Sequence, residues 1–136
     1  MITAGRDRPD PGDGKDSLPR DVIDGARLQL LRDLDPDGTP ALLHAVITAF
    51  LRDAPTQLDA MRAAVLAGGE PGLEQTAHQL KGSAANLGAT RVRALCGQLE
   101  ALARTGAEPA EELLDQLQAE LNRAARALSD ALSGPE

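Results

Sequence analysis

From Ala41 onward the apolar residues recur every three or four positions, and most of them are leucine or alanine. That spacing lines one side of a helix, whereas a half-buried strand would alternate polar and apolar residues. Aromatic material is almost absent, Phe50 being the sole aromatic residue. Sheets draw on aromatic and β-branched side chains, while leucine and alanine are strong helix formers. An all-α fold is expected. At 136 residues, 42% of them hydrophobic, the chain suits one domain with a modest core.

Residues 1–18 are crowded with Gly, Pro and Asp and show no apolar period, which predicts a disordered N-terminal tail or linker. The helical domain is assigned to 19–133. Asp24 can cap a short first helix that points Leu28, Leu31 and Leu34 inward. Asp35-Pro36-Asp37-Gly38 reads as a turn, followed by Thr39 as cap and Pro40 at the first helical position. A helix over 40–67 then carries the stripe Leu43, Ile47, Phe50, Ala54, Leu58, Met61 and Val65. The stripe keeps its phase through Pro55, which predicts one helix kinked near Ala54-Pro55 rather than a new helix capped by Asp53.

Gly68-Gly69-Glu70-Pro71-Gly72 reads as an interhelix turn. It lacks the residue order of a phosphate-binding loop, and no strand precedes it. Helices follow over 73–87, 90–104 and 109–132. The first stops at Gly88, the second is capped by Thr90, and the third is opened by Pro109. Their stripes are Leu73, Ala77, Leu80, Ala84 and Leu87; Val92, Leu95, Leu99 and Leu102; and Leu114, Leu117, Leu121, Ala124 and Leu128. Short connections make the last four helices antiparallel neighbours. The expected architecture is an up-down-up-down four-helix bundle with an additional short N-terminal helix.

The net charge of −7, from 21 acidic and 14 basic residues, argues against non-specific nucleic-acid binding, which needs clustered cations. One cysteine, Cys96, excludes an internal disulfide and reads as a packed, inert thiol. No apolar run is long enough to span a bilayer, and no signal pattern opens the chain. A cytoplasmic monomer without membrane contact is expected. Glu111, Glu112, Asp115 and Glu120 read as a solvated face. The two histidines, His44 and His78, lack metal-ligand spacing, and no metal or cofactor is expected on this chain.

His78 lies one step off the apolar stripe, so its ring borders the core face and can reach water. Lys81 and Gly82, three and four residues on, are its next-turn neighbours. Glycine inside a helix costs about 1 kcal/mol relative to alanine. Close approach of another molecule to His78 would explain it, and so would a helix–helix contact. Ser83 reads as a packing residue or a phosphate ligand. Asn86 is placed to bond a neighbouring helix end or loop. His44 has no such neighbours and reads as a surface or boundary residue.

The run AHQLKGSAANLG, residues 77–88, followed by LCGQLE at 95–100, resembles the signature of histidine-containing phosphotransfer (HPt) domains of bacterial phosphorelays. The helical pattern from about Val22 to Leu132 resembles an HPt bundle as well. The resemblance implies a carrier that takes a phosphoryl group on His78 from a receiver-domain aspartate and passes it to another. It hydrolyses no ATP and does not phosphorylate itself. Lys81 would offset charge on the transferring phosphoryl group. Partners would be response-regulator receiver domains, including those of hybrid sensor kinases, and the partner would bring Mg²⁺. The resemblance places the docking surface at Gln75, Gln79, Gly82, Ser83 and Ala85, with Arg91 and Gln98 beside them. A bundle with a vestigial histidine that serves only as an interaction module, and a fragment of an autonomous kinase, are the rival readings.

Overall fold

The computed structural model describes residues 21–35, 41–68, 70–105 and 110–133. Five helices account for nearly all of them: α1 (Gly25–Asp33), α2 (Ala41–Leu66), α3 (Glu70–Leu87), α4 (Thr90–Thr105) and α5 (Ala110–Ser133). Helices α2 to α5 pack each against the next, and α5 returns to α2, closing an antiparallel four-helix ring. The short α1 leans on α2 and α3. The expected tail, the caps at Thr39, Pro40 and Pro109, and Gly106 lie outside the described residues.

The core is the set of apolar stripes folded onto one another. Leu43, Ile47 and Met61 of α2, Leu80 and Leu87 of α3, Leu95 and Leu99 of α4, and Leu114, Leu117 and Leu128 of α5 are all fully buried. Each such side chain contributes about 1.5–3 kcal/mol of burial free energy. That outweighs the tenths of a kcal/mol by which residue propensities differ within a helix. Helix α2 runs unbroken through Pro55, which is exposed, and Asp53 caps nothing but pairs with Arg52.

Several expectations need correction at the edges. Leu34 is 60% exposed, because α1 ends at Asp33 and the chain turns away from the core there. Val65 and Leu102 are only partly buried. Residues 70–72 belong to α3 rather than to the turn before it. Thr90 is the first residue of α4, not its cap; Ala89 holds the cap position, its carbonyl accepting from Arg93 N–H at 2.9 Å. The Thr90 hydroxyl instead donates to the Asp21 carbonyl.

The α3–α4 connection is a tight joint. Gly88 has φ +74°, Ala89 N–H reaches back to the Ala84 carbonyl at 2.9 Å, and Gly88 N–H reaches the Ala85 carbonyl at 3.2 Å. This paired closure satisfies carbonyls that a helix end would leave open. The N-terminal segment clamps the joint: Asp24 N–H donates to the Gly88 carbonyl at 2.7 Å, and Arg27 Nε donates to the Asn86 carbonyl at 2.8 Å. It is the Asn86 carbonyl, not its side chain, that makes this link. A Cβ on Gly88 would lie 2.9 Å from the Arg27 Cβ and 3.0 Å from the Asp24 carbonyl oxygen.

Glu120 is not part of a solvated face. Its side chain is 5% exposed and accepts from Arg91 Nε and Nη2 of α4, at 2.8 and 2.7 Å, and from Arg123 at 2.7 Å. Glu111, Glu112 and Asp115 are exposed as expected, Asp115 pairing with Arg62 across to α2. The Arg91 hydrogen bonds, then the charges of Arg91 and Arg123, hold the Glu120 carboxyl below its ordinary range against the opposing effect of burial.

Gly88→Ala should lower stability by about 2–4 kcal/mol, combining the left-handed backbone cost with a clash against α1. Chemical denaturation followed by circular dichroism reads this directly. Glu120→Ala should cost about 1–3 kcal/mol at neutral pH, less than a fully sealed ion pair because Arg123 can turn to water. The lowered Glu120 pKa adds stability above the unfolded carboxylate value and loses it as pH falls through the folded one. The difference between wild type and Glu120→Ala should therefore shrink on acidification below about pH 4.

Candidate functional site

His78 stands on the exposed flank of α3 with its side chain 69% exposed. Beneath it lies a residue that the sequence reading did not assign. Glu100 of α4 is 5% exposed, with Oε2 2.7 Å from His78 Nδ1 and Oε1 2.5 Å from Lys81 Nζ. A buried carboxylate is costly unless its oxygens are satisfied, and here each oxygen has one donor. Hydrogen bonds from Lys81 first and His78 second outweigh burial and hold the Glu100 carboxyl below its ordinary range.

An ionised carboxylate only accepts hydrogen bonds, so the contact to Nδ1 requires a proton on that nitrogen. In the neutral ring the lone pair then lies on Nε2. Glu100 thus anchors the ring from one side and selects the tautomer whose basic nitrogen faces away. Lys81, 34% exposed, is held down on the same carboxylate rather than projecting freely into solvent. Two signals for Glu100 were present in the sequence. It falls within the apolar stripe of α4, next to Leu99 and four residues after Cys96, and residues 78 and 100 each lie eleven positions from Ala89.

Gln75, Gln79, Gly82 and Ala85 are exposed on α3 around His78, and a Cβ on Gly82 would meet nothing within 4 Å. A helix–helix contact is therefore not the reason for that glycine. Ser83 is half-buried, its hydroxyl donating to the Gln79 carbonyl at 3.4 Å, and with Asn86 it faces the groove toward α2. Arg91 and Gln98 are not brought to His78. Arg91 is nine residues from Glu100, about half a turn round α4, and its guanidinium is engaged by Glu120 of α5. Gln98 lies at about 200° from Glu100 and shares that far side.

Cys96 is fully buried, and burial with the nearby Glu100 charge pushes its thiol up to about 12. It is protonated and inert at neutral pH. His44 is exposed and 3.4 Å from the Thr48 hydroxyl. Among the described residues no helix is long and apolar enough to cross a membrane.

Replacing Glu100 by Met keeps the bulk and removes the acceptor. Nitrogen-15 NMR should show the His78 ring leaving the Nδ1–H tautomer, with the helical circular dichroism signal unchanged. An unaltered tautomer would mean that the carboxylate does not set it.

Comparison with known proteins bears on the fold and the family. Among curated proteins none matches the sequence. Histidine-containing phosphotransfer protein B (HptB) from Pseudomonas aeruginosa PAO1 is similar in structure, with TM-score 0.76 and 26% identity over 87% of this chain and 100% of that one. The histidine-containing phosphotransfer protein MtHPt2 from Medicago truncatula is similar with TM-score 0.69 and 26% identity, over 85% of each chain. The family model described as Hpt domain matches residues 45–127, more than half of the sequence, and the chain belongs to the Hpt domain family.

Proposed function

We propose that His78 is the phosphoryl acceptor and donor of a phosphorelay carrier. The observation that carries this reading is the exposed imidazole whose Nδ1 is fixed by a buried carboxylate, which leaves Nε2 as the outward nucleophile. The Nε2 lone pair attacks the phosphorus of an aspartyl phosphate on a receiver domain. A phosphorus–nitrogen bond forms, the phosphorus–oxygen bond to the aspartate breaks, and the carboxylate departs with the electron pair. The ring becomes a phospho-imidazolium, and its Nδ1–H stays on Glu100, whose negative charge offsets the new positive one. Transfer to a second receiver runs the same step in reverse.

Lys81 has two tasks in this scheme. It keeps Glu100 ionised under the ring, and its ammonium lies one turn from the reacting nitrogen, where it can offset charge on the phosphoryl oxygens. The acidic cluster and Mg²⁺ belong to the receiver. The chain acts as a carrier without ATPase or autokinase activity and works as a monomer. Gly82, with empty space where a side chain would stand, lets the partner's site close on the ring.

His78→Ala should abolish uptake of labelled phosphoryl from a phosphorylated receiver while keeping the helical circular dichroism signal, with Tm lowered by the loss of the donor to Glu100 Oε2. Retained label on that variant would sink the assignment, and label from ATP alone would sink the carrier role. Lys81→Ala should slow single-turnover transfer about tenfold, with a smaller effect on receiver affinity.

A further inference from the structure

We propose that the docking footprint extends from His78 along the α3-facing edge of α4. In that footprint Gly97 is a second open notch, and Arg93 is the cation that engages a carboxylate on the rim of the receiver's phosphoaspartate site. This deepens the carrier reading and rests on it.

The register of the hairpin places both residues. Two cross-helix pairs, Glu74–Arg104 at 2.7 Å and His78–Glu100 at 2.7 Å, share one register. Carried toward the turn at Gly88, it sets Lys81 opposite Gly97 and Ala85 opposite Arg93. On α4, Arg93, Gly97 and Arg104 all lie within about 60° of Glu100, on the side that borders α3. Arg91 and Gln98 occupy the other edge.

Gly97 has no local reason to be glycine. It lies inside a helix and is not among the glycines with positive φ, which are Gly68 and Gly88. A Cβ there would meet nothing within 4 Å, as at Gly82, whereas at Gly72 it would meet the Ala64 Cβ at 3.5 Å. Alanine would therefore fit at 82 and 97 and would favour the helix by about 1 kcal/mol at each. Two such glycines on facing helices, both beside Lys81, leave a low strip next to the nucleophile. A flat strip of this kind accepts another protein's surface.

The charge of the strip selects that surface. Glu74 is neutralised by Arg104, and Glu100 by Lys81. Arg93 is exposed and has no carboxylate partner among the described residues. The strip is thus locally positive on a chain of net charge −7. A receiver bearing an aspartyl phosphate brings negative charge to the same place. Arg93 lies about 10 Å along the helix axis from His78, beyond reach of the transferring phosphoryl group, so it acts on encounter and not on chemistry.

The test uses the full chain and a Mg²⁺-loaded receiver domain, charged with acetyl phosphate and selected because it labels the wild-type protein. Arg93→Glu should raise the KM for that receiver about tenfold with kcat within twofold, and added NaCl should narrow the gap. Gly97→Leu should raise KM by a similar factor while Tm holds or increases. Arg126→Glu, a charge reversal on α5, should change neither constant. Unchanged KM in the Arg93 and Gly97 variants, or a loss confined to kcat, would overturn the footprint. Label on His78→Ala in the same assay would instead overturn the carrier reading beneath it.

Discussion

The site depends on one carboxylate placed where a helical bundle would ordinarily put a leucine. Glu100 lies within the buried stripe of α4, and its burial is tolerable only because His78 and Lys81 of α3 supply a donor to each oxygen. The pairing is reciprocal. The carboxylate orients a ring that would otherwise turn freely on a helix flank, and the ring and ammonium neutralise a charge that would otherwise disfavour the fold. Site and fold are coupled at this point.

The coupling requires the register between α3 and α4 to be right. A shift of one residue would turn Glu100 by about 100° and break both contacts. The Gly88 joint sets that register, and α1 reinforces it from outside through Asp24 and Arg27. On the other face of α4, Arg91 and Glu120 fix its rotation against α5. The two buried glutamates thus hold α4 from opposite sides, one toward the nucleophile and one away from it.

Much of this was legible in the sequence. Helical periodicity gave the four bundle helices and almost all of their buried positions, because leucine burial dominates the energetics. His78, Lys81 and Gly82 stood out through their spacing, and the structure brings them together on one exposed flank. What stayed hidden was the pairing of polar residues across helices. Periodicity identifies the inward side of a helix but not which neighbour a polar residue on that boundary will meet. Glu120 therefore read as solvated, Arg91 without its partner on α5, and Glu100 as part of a pattern with no role. Leu34 was misplaced for a related reason: the chain leaves the helix before its inward side returns.

The ring stands on the side of a rod and not within a cleft. Among the described residues nothing around His78 distinguishes an incoming phosphoryl group from an outgoing one, because both approach the same exposed ring through the same open solvent. The molecule therefore has no built-in valve. Which way the cargo moves depends on how many charged and uncharged partners surround it and on how tightly each holds its own phosphate.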